Sequence, residues 1–349
     1  MQFAGFTLVT TVCVTGRPWT SQNLDVRRSQ RVEEGPCVVH SSLSAGVPLK
    51  ALSVRRCLWV GRCFEVDVKS IGGWTPDDPS CSVEQFCPEY NEWRKAADMI
   101  IRRGQVAVGT LGGRIYTAGG EDDVRWYSSV ERYDPDADSW SADVAPLSSP
   151  RSGVCMLAMD GALFAVGGHL SSTATNTVER YDPETNTWNK QAPLLTRRTR
   201  AAAAVLGGHL YVMGGSDGHV ALSSVERYDP ADGTWSMCAH MLSPRENAGC
   251  AVHRGHIYVA GGRDELNLEL ATAERLHPET MRWTPVKCMR SKRDDLSLAV
   301  FNGALLAVGG YDGVTSLKTA EIYDHETNTW RHFGSMKSKH PGGRVAVLC

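Results

Sequence analysis

The sequence predicts an all-β chain, a six-bladed β-propeller, from three landmarks that keep phase over its last four-fifths. A double glycine closes a short apolar run six times, at Gly72, Gly119, Gly167, Gly214, Gly261 and Gly309, in steps of 47 or 48 residues. A tryptophan follows each pair after 21 or 22 residues, at Trp93, Trp140, Trp188, Trp235, Trp283 and Trp330. Between glycines and tryptophan stands VERYDP at Val130, Val178 and Val225, worn to VEQFCP at Val83, AERLHP at Ala273 and AEIYDH at Ala320. A fixed period of this length marks a repeat architecture.

The fourth repeat shows the elements of one unit in order, as runs over 201–206, 209–213, 224–228 and 234–237. The first three are long enough only for strands, and Gly-Gly, Ser-Asp-Gly and Asp-Pro turns separate them. Four short antiparallel strands per repeat make a propeller blade. The phase places blades at about 66–98, 99–145, 146–193, 194–240, 241–288 and 289–336. The first repeat starts only at its second strand, while RVAVL over 344–348 has the pattern of AAAVL before Gly207. Residues 343–349 are therefore expected to close blade one, since an open ring would expose unpaired edges. A rival is the pair Arg55-Arg56, which precedes Gly72 by 17 residues as Arg102-Arg103 precedes Gly119. The run LWVGRCFE after that pair alternates less well.

The landmarks read as structural and not catalytic. The glycines should lie where neighbouring backbones crowd, the tryptophans should bury their indoles between blades, and the Glu and Arg of VERYD could pair within a blade.

Composition narrows the function. The 349 residues carry 37 Lys plus Arg against 39 Asp plus Glu, a net charge of −2, which lacks the basic footprint of a nucleic-acid binder. No run of about 18 apolar residues is present, so no membrane-spanning helix is expected. The 11 cysteines are odd in number with no CxxC pair, the pattern of reduced thiols in a cytoplasmic protein and not of a metal knuckle. The mildly apolar stretch 3–14 has no basic residue before Arg17, so it lacks the start of a secretory signal. Residues 1–65 hold a net charge of +4, are broken by Gly and Pro, show no periodicity, and read as a poorly ordered extension.

The residues from about 66 to 349 resemble the six-bladed Kelch domain of the Kelch-like proteins. That resemblance implies a protein-binding module, the substrate-recognition part of a cullin-3 ubiquitin ligase adaptor, with actin binding as the alternative. It also implies BTB and BACK domains ahead of the propeller, which 65 residues cannot hold, so this chain is expected to be a truncated or alternatively started product that binds cullin-3 only through domains it lacks.

The resemblance further implies a ligand face built from loops between second and third strands and from loops entering each innermost strand. The residue after each glycine pair then points into the rim: Trp74, Glu121, His169, Ser216, Arg263 and Tyr311. The entering loops would add Arg103, Gln105, Arg151, Arg198, Arg200, Arg245, Asn247, Asp294 and Asp295. With acidic Asp77, Asp78, Glu121, Asp122, Asp123, Asp264 and Glu265 in the other loops, the expected ligand is a peptide with an acidic anchor for the arginines and an apolar group for Trp74 or Tyr311. No cofactor is expected.

Propeller enzymes supply the competing reading. Asp-Gly-Thr-Trp at Asp232 faintly resembles a sialidase Asp-box but occurs once, where the repeat already requires Trp235. His253 and His256 could be taken for copper ligands, yet they flank a turn at Arg254-Gly255. No Ser-His-Asp order, phosphate loop or HExxH motif is present.

Overall fold

The computed structural model describes residues 67–74, 79–171, 173–340 and 342–348. They form six four-stranded antiparallel sheets. Blade four shows the plan from inner to outer edge: Ala202–Leu206, His209–Met213, Val225–Asp229 and Thr234–Cys238. In blade one the innermost strand is Arg344–Leu348, followed by Asp67–Ile71, Val83–Cys87 and Glu92–Lys95. Arg344 lies opposite Ile71 and Leu348 opposite Asp67, so the last strand of the chain pairs with the first described one. The expected disordered extension and the rival closure through Arg55-Arg56 lie outside the described residues.

Strand patterns follow from a blade's position between two others. The second strands are the most buried, at least four of five residues in each, as in Ala162–Val166 where all five are buried, because both faces are covered. Third strands alternate: Val225, Glu226 and Tyr228 are buried while Arg227 and Asp229 are half-buried. Six apolar clusters lie one to a seam; that between blades three and four joins Phe164 and Val178 to Leu210 and Trp235.

The tryptophans stitch these seams. Trp235 Nε1 donates to the Ala192 carbonyl of the preceding blade at 2.9 Å, and Trp140, Trp188, Trp283 and Trp330 make the same bond to Ala97, Ala145, Ala239 and Lys287. Trp93 lacks it and packs instead against Phe86, with ring centroids 5.5 Å apart. Trp140 and Trp188 stay half-buried, so indole burial is not uniform around the ring.

Crowding at the glycines is backbone against backbone. Gly119 has φ of +65°, and a Cβ there would stand 2.3 Å from the Arg151 carbonyl oxygen of the next blade. Gly167 meets the Arg198 carbonyl at the same distance. Among the described residues no helix is long and apolar enough to cross a membrane.

Candidate functional site

The loop-bearing end of the ring is built in tiers, and the lowest overturns part of the sequence reading. Arg103, Arg151, Arg198 and Arg245, expected on the rim, are buried beneath it. Arg198 shows why: Nε donates to Glu226 at 3.0 Å, Nη1 to the Gly214 and Ser224 carbonyls at 2.8 and 2.9 Å, and Nη2 to the Ser224 hydroxyl at 2.8 Å. Glu226 also accepts the backbone N–H groups of Leu195 and Thr196. Without the guanidinium this buried carboxylate would have no counter-charge. Burial pulls the Arg198 value down while Glu226 opposes that pull.

The arrangement repeats as Arg103 with Glu131, Arg151 with Glu179 and Arg245 with Glu274. It recurs as Arg293 with Glu321, which the sequence reading passed over. The Glu of VERYD thus pairs with the entering loop and not with its neighbouring Arg; adjacent strand residues face opposite ways, and Arg132 instead meets Asp143 on the outer strand. A sequence signal did exist: each of these arginines precedes its first glycine by 16 residues and its glutamate by 28 or 29.

One residue further on, the chain pairs with the residue after the glycines. Thr199 and Ser216 exchange backbone N–H···O bonds at 2.9 Å, and Gly104 with Glu121, Ser152 with His169, Glu246 with Arg263 and Asp294 with Tyr311 are bridged alike. This tier is mostly covered. His169, expected as a rim group, is buried with Nδ1 2.8 Å from the Thr199 hydroxyl, and Ser216 is buried as well. Burial raises the Glu121 carboxyl, but His169, Arg200 and Trp126 together outweigh it and hold the group below its ordinary value. Arg263 is half-buried, 3.1 Å from Glu246 and 3.8 Å from Asp294. Asp294 is pushed up to about 7, first by burial and then by Asp295. Trp74 roofs Gly104, where a Cβ would lie 2.1 Å from the indole nitrogen.

The next residue in each loop forms a collar around the axis. Gln105, Gly153, Arg200, Asn247, Asp295 and Gly342 all have φ between +46° and +71°. Gly153 N–H donates to the Gln105 carbonyl at 3.2 Å, Arg200 to Gly153 at 2.8 Å, Asn247 to Arg200 at 2.9 Å and Asp295 to Asn247 at 3.1 Å. Arg200 leans across Gly153 to reach the Gln105 side chain at 3.1 Å, two blades away. A Cβ at Gly153 would lie 3.0 Å from its Cγ, so the missing side chain makes that span possible. Asp295 pairs with Arg344 at 3.2 Å. Asn247, expected to face a ligand, is buried; Trp74, Glu121, Arg200, Arg263, Asp295 and Tyr311 remain half-buried at the mouth.

Below the collar the innermost strands enclose a cavity of about 190 Å³, lined in part by Ala107, Cys155, Ala203, Cys250, Leu298 and Val345. Burial pushes the two thiols up, Cys155 to about 11 and Cys250 to about 12. Beside the collar, His169, Ser171, Thr199, Arg200, Ser216 and Glu246 line a second hollow of about 210 Å³.

The outermost tier is one that sequence reasoning missed. Val124, Leu170, Val220, Leu266 and Val314 are exposed at loop tips, Val124 and Val314 at 86% and 88%. In four of these loops an aspartate fixes the turn: Asp122, Asp217, Asp264 and Asp312 each accept two backbone N–H groups from the residues that form the tip. Its signal is an Asp two residues after the glycine pair with an aliphatic residue two or three positions later. Asp77 and Asp78 lie outside the described residues.

The enzyme-like features have ordinary partners. Asp232 accepts Thr234 N–H and Oγ1 at 2.9 and 2.7 Å, capping a turn at the opposite end. His256 hydrogen-bonds the Arg254 carbonyl and His277, while burial and then Arg254 hold the His253 ring down at about 4. Among the described residues no three His, Cys, Asp or Glu side chains converge to hold a metal.

Six such blades, tied by glycine pairs and seam tryptophans and carrying their variable groups on one end, define a Kelch-type propeller. The chain belongs to the Kelch-repeat family: residues 67–262 match the KLHDC2/KLHL20/DRC7 Kelch-repeats domain, and 244–290 and 292–337 each match the Kelch motif. Relatives include Kelch-like protein 4 of Homo sapiens, 32% identical over 77 residues, or 22% of this chain and 11% of that protein. Kelch-like protein 23 of Mus musculus is 34% identical over 95 residues, 27% of this chain and 16% of that protein. Kelch-like protein 21 of Danio rerio is 42% identical over 65 residues, covering 18% and 11%. The aligned parts thus span well under a quarter of these relatives' own length. The solved structure of YjhT shares the fold at a TM-score of 0.65 and 14% identity, over 75% of this chain and 96% of that one.

Proposed function

We propose that the loop-bearing end is a protein-recognition surface and that the chain supplies the substrate-binding part of a cullin-3 ubiquitin ligase adaptor of the Kelch-like type. It acts in the cytoplasm as a binding module and not as an enzyme. The observation that carries this reading is the set of aliphatic tips at Val124, Val220, Leu266 and Val314, each lifted into solvent by an aspartate-fixed turn on a rigid ring. Loops that expose apolar groups by construction accept a partner's apolar side chains. The acidic-anchor role narrows, because, of the expected rim arginines, Arg200 and Arg263 are the ones left at the mouth and each already has a polar partner. Within the family we favour likeness to Kelch-like protein 20 and its insect counterpart diablo, on IGGW at Ile71, SADVAP at Ser141, GGSDG at Gly214, GGRDE at Gly261 and LKTAEIYD at Leu317.

The test is affinity capture with the full chain, its Val220→Ser/Val314→Ser variant and Asp182→Asn at the opposite end. A ubiquitination substrate should be held by the parent and by Asp182→Asn and lost from the tip variant. Equal capture by all three would defeat the reading. Purified cullin-3 is expected not to bind the propeller residues on their own, since the resemblance assigns recruitment to BTB and BACK domains. Co-sedimentation with purified actin filaments would instead favour a cytoskeletal scaffold.

A further inference from the structure

The buried tie that anchors each entering loop changes its chemistry in blade one. Five blades use an arginine; in blade one the position belongs to the segment leading into the final strand, and the residue is His340, 3% exposed. Its targets match those of the arginines. Nδ1 lies 3.0 Å from the carbonyl of the first glycine, Gly72, and 3.4 Å from the Ser82 hydroxyl, while Nε2 lies 3.2 Å from Glu84 Oε1. Glu84 accepts the backbone N–H groups of Lys337 and Ser338 at 2.8 and 2.7 Å, as Glu226 does those of Leu195 and Thr196.

A peptide carbonyl and a carboxylate only accept hydrogen bonds. A neutral imidazole carries one N–H and can serve one of them, whereas the imidazolium carries two and serves both. Burial raises the Glu84 carboxyl, but the hydrogen bonds from His340, Lys337 and Ser338 outweigh that and hold it below its ordinary value, so a carboxylate faces the ring at neutral pH. We infer that His340 is held as the imidazolium, and that blade one, where the first and last strands of the propeller meet, is latched by a proton while the other five are latched by permanent guanidinium charge.

The surroundings leave Glu84 as the counter-charge in contact. Lys337 and Lys339, on the same segment, are exposed. On the second strand Ser70 lies opposite Glu84, while Lys69, one residue earlier, faces the other side of the sheet and pairs with Asp67. Toward blade six, Asp295 is engaged by Arg344. As pH rises and the ring loses a proton, either the Gly72 carbonyl loses its ring donor or Glu84, still bonded to the Lys337 and Ser338 N–H groups, loses the ring N–H, and closure weakens. As pH falls below the ordinary carboxylate value of 4.5, protonation of Glu84 removes the latch from the other side. The latch is therefore strongest in mildly acidic solution.

Melting curves of the full chain, His340→Gln and His340→Arg between pH 6 and 8.5 test this. Asp294, near 7, makes all three less stable with rising pH, so the readout is the difference between proteins. The parent's lead over the Gln variant should shrink by roughly 2–4 °C across that range, and the lead of the Arg variant should stay constant. A parent lead that does not change with pH overturns the inference. Should His340→Arg not fold, the ring nitrogen shifts of His340 at pH 7, identified by their loss in His340→Gln, decide: two protonated nitrogens support the latch, and one bare nitrogen ends it.

Discussion

Arg198 and Arg200 sit on one loop, two residues apart, with the same side chain and opposite surroundings. Arg198 turns under the loop and spends its donors on Glu226, Gly214 and Ser224. Arg200, in a left-handed backbone conformation with φ of +55°, is half-buried at the mouth and reaches Gln105 and Glu246. The first holds the blade together; the second, half-buried at the mouth, is the one proposed to meet a partner. Residue type and loop are the same for both, so the difference lies in what each side chain meets once the backbone has turned.

Substitutions can break that comparison, beginning with the largest effect. Arg198→Ala leaves Glu226 buried without a counter-charge and should cost about 3–5 kcal/mol, a loss similar in size to Trp235→Ala, which empties a seam at roughly 3–5 kcal/mol. Calorimetric melting checks both. An Arg198→Ala protein as stable as the parent would mean the buried tier is not the frame of the loops.

Gly153→Ala probes the collar without touching that tier. Its φ of +62° and the 2.5 Å approach of a Cβ to the Thr199 hydroxyl predict a loss of roughly 1–3 kcal/mol. An unchanged denaturant midpoint would show that the collar yields.

Asp294→Asn should act in the other direction. A carboxyl raised from 3.8 to about 7 binds a proton in the folded protein that the unfolded chain has released, so stability falls as pH rises from about 4 through 7. The amide should add on the order of 1 kcal/mol at pH 8 and flatten the profile between pH 5 and 8. A loss at pH 8 would count against the buried ionised state.

The smallest effect on the fold belongs to Arg200→Ala, expected within about 0.5 kcal/mol of the parent while weakening a captured partner. If it melts like Arg198→Ala, the two arginines share one role and the distinction fails.

Much of the frame could be read from the residues, because backbone crowding and seam burial impose a requirement that recurs in every blade. The phase of Gly119, Trp140 and Val130 located the strands, and RVAVL marked the strand that pairs with Asp67–Ile71. The site was harder. An entering arginine looks like a ligand contact until its glutamate, 28 residues on, is recognised as a buried charge in need of a partner. The left-handed residues at Gln105, Arg200, Asn247 and Asp295 have no common side-chain type, so nothing in their composition announced a shared backbone geometry. The tips at Val124 and Val314 were overlooked because single exposed aliphatic residues are unremarkable until they recur at matching places around a ring.

The collar has an electrostatic consequence. Its peptide groups follow one another head to tail around the axis, each of the bonds from Gly153, Arg200, Asn247 and Asp295 pointing back to the preceding blade. Dipoles that turn about an axis largely oppose one another, unlike those of a helix, which add along one direction. Along these four links the main chain therefore gives the opening little net direction of its own. Its polarity is set mainly by side chains, one blade at a time, so substitution at a single blade can change what the mouth attracts while the backbone links beneath it stay in place.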